Sequence, residues 1–105
     1  MPLPELSHQA KDFVRRHIHS VWQLEMLLMC KNGRGVTGAQ ATRALYIDPR
    51  AIESGLNSFH SSGVLQKDDS QTFFATTTAA CVIDELSRIY DERRHFLINL
   101  IYSPQ

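Results

Sequence analysis

The run "NGRGVTG" has the spacing G-x-G-x-x-G, with Gly33, Gly35 and Gly38 in the three glycine places. Such glycines can let backbone amides approach a dinucleotide pyrophosphate at a helix N-terminus. That chemistry requires the run to follow a strand inside a β-α-β unit. Here the preceding residues, "LEMLLMCK", have helical spacing and no β-branched enrichment. No strand of a parallel sheet is available before Gly33, so the run is read as a turn between helices. Gly33 stops one helix, Gly35 allows a turn and Gly38 opens the next helix. Val36 is expected to form a one- or two-residue strand against a later hairpin.

Other reactive side chains are equally poor in partners. His17 and His19 lie two apart in a helical stretch and point away from each other, so they cannot share a metal. No cysteine or carboxylate set with zinc spacing accompanies them. Cys30 has no neighbouring base to lower its pKa, which a catalytic thiol requires. Cys30 and Cys81 are both expected as buried free thiols. Nucleophile-elbow, metalloprotease, P-loop and EF-hand patterns are missing from the sequence. No catalytic residue, metal or cofactor is expected, and the chain is read as non-enzymatic.

With 105 residues and equal numbers of acidic and basic side chains, the chain should build one domain without a global field that attracts nucleic acid or membrane. Residues 1–48 are slightly basic and residues 49–105 slightly acidic. The N-terminal residues lack a signal-peptide apolar region, and no apolar run approaches the ~18 residues of a membrane span. A reduced, cytoplasmic setting without membrane contact is expected.

The elements follow from stop and start signals. Residues 4–19 can form a first helix, with Pro4 near its start and Glu5 in its first turn. Ser20 and Gln23 form a capping box before "VWQLEMLLMCK". In that helix Val21, Leu24 and Leu28 share a face, flanked by Trp22, Met26 and Met29. A second box, Thr37 with Gln40, opens "AQATRAL", and Tyr46-Ile47 makes a tight connection. Asp48-Pro49 then starts a helix over 49–62 in which Ile52, Leu56 and Phe59 form one buried stripe. Gly63 ends it. Residues 64–67 and 72–76 read as strands of a hairpin around a polar 68–71 turn. Threonines 76 to 78 offer the cap of a final helix over 79–102, roughly 36 Å long at 1.5 Å per residue.

The fold class is therefore mainly α with a small β-hairpin. Two helices joined by a tight turn and followed by a hairpin are a helix-turn-helix with a wing. Residues 36–76 resemble the winged helix-turn-helix domain of bacterial transcription regulators. Thr37, Ala41, Leu45, Ile47, Asp48, Ile52, Leu56, Phe59, Gly63, Val64 and Leu65 carry the likeness. "FHSSGVLQK" looks like the close of a recognition helix running into the first wing strand. "SVWQLEMLLM" and "YDERRHFLINLIYS" are similar to segments of a group of small bacterial winged-helix proteins. Three parts are expected: an N-terminal helical extension over 1–19, a winged core over 20–76 and a C-terminal dimerisation helix over 77–105.

At 100° per residue Arg50, Ser54, Asn57 and Ser61 lie opposite the buried stripe. If this face enters a major groove, Arg50 and Asn57 are placed to read bases and the serines allow close approach. Lys67 on the wing, with Arg34 and Arg43, can meet phosphates. Charge argues the other way. Asp48, Glu53, Asp68 and Asp69 oppose Arg50 and Lys67 on or beside this face, and the wing tip "KDDSQ" is acidic. Affinity for duplex DNA needs cations that neutralise phosphates.

The last helix carries two apolar stripes. One is Val82, Leu86, Ile89, Phe96 and Leu100, broken by Arg93; the other is Ile83, Tyr90, Leu97 and Ile101. A domain this small should not cover both, which points to a homodimer interface through Leu86, Ile89, Tyr90, Phe96, Leu97, Leu100 and Ile101. Two functions remain: a homodimeric regulator that binds double-stranded DNA, and a winged helix that holds a protein partner instead.

Overall fold

The computed structural model describes residues 6–102. The elements run α1 (His8–His17), α2 (Val21–Leu28), a 3-10 turn (Lys31–Gly33), α3 (Gly38–Leu45), α4 (Pro49–Ser61), β1 (Leu65–Lys67), β2 (Phe73–Ala75), α5 (Thr77–Glu92) and α6 (Arg94–Tyr102). The hairpin is antiparallel, pairing Leu65 with Ala75, Gln66 with Phe74 and Lys67 with Phe73. Val36 adds the expected single bridge on the other edge of β2, exchanging hydrogen bonds of 2.9 and 2.7 Å with Phe73. Gly35 beside it must be glycine for a reason other than turning. A Cβ there would stand 2.5 Å from Thr72 Cγ2 and 2.6 Å from Phe74 Cε1.

Local chemistry sets the boundaries. The first helix starts later than the sequence implies, because Ser7 caps it by accepting from the Ala10 amide. Pro4 and Glu5 lie outside the described residues. Ser7 also binds Glu85 of α5 through its own amide and hydroxyl, at 2.8 and 3.0 Å, which ties the N-terminal segment to the C-terminal one. The Thr37–Gln40 capping box forms completely. The Ser20–Gln23 box does not: Ser20 makes no side-chain cap, and Gln23 reaches one residue further back to accept from the His19 amide. At the other end of α2, Asn32 and Gly33 both take left-handed φ, 59° and 76°. Helix α4 closes in a Schellman motif, with the Gly63 amide on the His60 carbonyl and the Val64 amide on the Phe59 carbonyl, Gly63 having φ 83°.

One core joins the parts. Leu6, Ala10, Val14 and Ile18 from the N-terminal segment pack with Leu24, Met26 and Leu27 of α2, Ile52, Leu56 and Phe59 of α4, and Val82, Ile83, Leu86 and Ile89 of α5. Helix α2 is central, as its wide stripe implies, with Leu27 in the buried set in place of Leu28. Gly55 lets α4 approach α2: a Cβ there would meet Met26 Cε at 3.0 Å and Trp22 at 3.3 Å.

Two expectations about the C-terminal region are corrected. The single helix over 79–102 is two helices. Arg93 leaves helical geometry at φ −140°, ψ 61°, and its carbonyl accepts from the Phe96 and Leu97 amides to start α6. The surplus of apolar surface is also smaller than expected. Helices α1 and α2 both pack on α5, and α6 packs on α1 and α5. Leu86, Ile89 and Leu97 are fully covered within the chain, so they belong to its own core rather than to a surface between copies. Tyr90, Phe96, Leu100 and Ile101 remain partly exposed. The thiols divide as well: Cys30 is buried as expected, whereas Cys81 is exposed on the outer face of α5.

Candidate nucleic-acid interface

The buried stripe of α4 fixes what the helix shows to solvent. With Ile52, Leu56 and Phe59 in the core, Arg50, Ser54, Asn57 and Ser61 are all exposed. The Asp48 carboxylate accepts from the Arg50 amide at 2.7 Å, so this acidic residue is the cap that starts α4.

Beside α4 runs an open groove of about 680 Å³, walled by α3 on one side and the hairpin on the other. Arg43 and Thr42 come from α3, Asn57 and Glu53 from α4, Lys67 and Gln71 from the hairpin, with Leu56 and Phe73 as an apolar floor. The groove thus gathers Arg43, Asn57 and Lys67 from three separate elements. Arg50, Ser54 and Ser61 stand on α4 outside it, and Arg34 sits apart, just after the 3-10 turn. The Lys67 ammonium lies 5.7 Å from the centre of the Phe73 ring.

Thr42 and Gln71 join the groove without having been among the residues expected to face DNA. Thr42 could have been found from the spacing of Ala39, Thr42 and Arg43 on one face of α3. Gln71 had no such signal; it takes φ 62° inside the hairpin turn.

The acidic wing tip has a local explanation in part. Asp68 Oδ1 accepts from the Thr72 amide at 3.0 Å, the Ser70 amide at 2.9 Å and the Ser70 hydroxyl at 2.8 Å. The Asp68 amide in turn donates to the Thr72 carbonyl. These bonds, that from Thr72 first, hold its carboxyl below the usual carboxylate range. Asp68 is the knot of the turn, and these bonds keep its exposed carboxylate ionised. Glu53 has no such duty and contributes a carboxylate to the groove itself.

The remaining reactive groups stay isolated. No cluster of three or more histidine, cysteine or carboxylate residues with metal-binding geometry occurs among the described residues. Burial pushes the Cys30 thiol up to about 11. The His17 ring lies 4.8 Å from the Phe13 ring at a 54° tilt, and burial, then Arg16 and His19, keep its pKa below the ordinary imidazole value. No helix among the described residues is long and apolar enough to cross a membrane.

No protein-family model matches the sequence, and no curated protein matches it. Solved structures do resemble it. The multiple antibiotic-resistance repressor MarR from Listeria monocytogenes superposes with a TM-score of 0.62 at 16% identity, over 86% of this chain and 67% of that one. The adhesin competence repressor AdcR from Streptococcus pyogenes gives 0.62 at 17% identity, over 97% and 85%. A MarR-family protein from Mycobacterium tuberculosis gives 0.60 at 13% identity, over 93% and 80%. At these identities the likeness is one of fold. The chain has the winged helix-turn-helix fold of bacterial transcription regulators, mainly helical with one two-stranded wing.

Proposed function

We propose that this protein is a bacterial, cytoplasmic, non-enzymatic regulator that binds double-stranded DNA as a homodimer. Helix α4 enters the major groove, Arg50 and Asn57 read base edges, and Ser54 and Ser61 permit close approach. Arg43 and Lys67 hold phosphates from either side of α4, and Arg34 does so from the far end of the 3-10 turn. The observation that carries this reading is the groove in which Arg43, Asn57 and Lys67 converge beside an exposed α4 face. The partly exposed Tyr90, Phe96, Leu100 and Ile101 supply the contact between copies.

Selection of bound sequences from random duplex DNA tests the proposal. A defined motif should emerge. Arg50→Ala and Asn57→Ala should each relax preference at their own position by about 1–3 kcal/mol, whereas Lys67→Ala should weaken all sequences alike. A pool that never converges contradicts it.

One observation favours a second reading, in which the same surface holds a protein. Glu53 stands among the groove's cations, and Asp69 adds charge at the wing tip. A basic partner segment would satisfy these carboxylates, which DNA cannot.

A further inference from the structure

Tyr46 has two properties that its neighbours do not explain. It is 91% exposed, while Tyr102, the other large exposed hydrophobic side chain among the described residues, is 59% exposed and accepts a hydrogen bond from the Val21 amide. Its backbone also sits in the left-handed region, at φ 57° and ψ 40°, where it caps α3. Glycine or asparagine fills such a cap without strain, and a bulky aromatic residue does not. Tyr46 thus combines an unfavourable backbone with a ring that buries almost nothing in the protein. Strain of this kind persists where a side chain is held for use.

Its position names the use. Tyr46 belongs to the turn between α3 and α4, two residues before the Asp48 cap and four before Arg50. When α4 docks, the preceding helix crosses the DNA backbone, so the joining turn lies along the flanking strand. We propose that Tyr46 is a DNA-contact residue, its hydroxyl donating to a phosphate oxygen and its ring lying against the adjoining sugar. This rests on the DNA-binding reading above. A neutral donor suits a surface whose cations are opposed by Glu53.

The test measures duplex affinity against salt for the full chain and for Tyr46→Phe, Tyr46→Gly and Arg43→Ala, with melting temperatures alongside. Tyr46→Phe and Tyr46→Gly should each weaken binding of the dimer by about a hundredfold, roughly tenfold for the one hydrogen bond to a charged group lost in each protomer. Neither should change the salt dependence, because a tyrosine releases no counterion; Arg43→Ala should flatten it. Tyr46→Gly should melt at or above the wild-type temperature, since the cap is relieved. If both Tyr46 variants bind like wild type while Arg43→Ala weakens binding, the contact is refuted and the DNA reading stands. If Tyr46→Gly binds weakly but also melts lower, the residue is structural and the proposal fails. If the wild-type protein binds no duplex, both fall together.

Discussion

At the scale of single residues, environment decides chemistry. Cys30 is enclosed and its thiol is pushed up to about 11, whereas Cys81 is exposed. A thiol reagent at neutral pH should modify Cys81 promptly and Cys30 only on unfolding; rapid titration of two thiols in the native protein would contradict the burial. Asp68 makes a pH prediction. Its folded-state pKa is depressed, so its contribution to the wing is present above the ordinary carboxylate value and is lost as pH falls through the depressed one. Amide exchange at Ser70 and Thr72 should therefore accelerate under acid, and Asp68→Ala should show the same acceleration at neutral pH. The outward set Arg50, Ser54, Asn57 and Ser61 was legible in the sequence because Ile52, Leu56 and Phe59 mark the inner face of a regular helix. Tyr46 was not, because the left-handed cap is normally signalled by glycine or asparagine. The exposure of Cys81 was hidden too, since its helix is apolar on more than one side and only packing shows which side is left over.

At the scale of elements, caps and close approaches set the frame. Thr37→Ala removes a complete capping box and should cost about 1 kcal/mol of stability in urea denaturation. Gly35→Ala forces a methyl against Thr72 and Phe74 and should cost about 1–3 kcal/mol. Helices α1 to α5, both strands and the Val36 bridge could be anticipated from stop and start signals, because those signals act locally, whereas α6 reads in the sequence as a continuation of α5. The break at Arg93 was less plain. Its mark in the sequence is the charged run 91–94 that interrupts the apolar stripe, beyond which α6 packs on α1 and α5. That break also redistributes the C-terminal side chains. Leu97→Ala should destabilise the protomer by about 2–5 kcal/mol, the cost of an emptied core site. Ile101→Glu should leave it folded and shift it from dimer to monomer in sedimentation. A wild-type chain that sediments as a monomer would remove α6 from any interface between copies.

At the scale of the whole molecule, the question is whether a neutral chain can bind a polyanion. The net charge is zero, so attraction must come from placement rather than from total charge. Arg43 and Lys67 flank α4 across one groove, Arg34 stands beyond it, and Asp68 is engaged with its own turn. Glu53 is the residue that most opposes the reading, and Glu53→Gln should raise duplex affinity if DNA occupies this groove. The most direct measurement is duplex affinity as a function of salt concentration. Three phosphate-contacting cations in each of two protomers predict a log–log slope of roughly −5. A slope near zero, or low-salt binding no tighter than that of an inert acidic protein, would contradict the DNA-binding account.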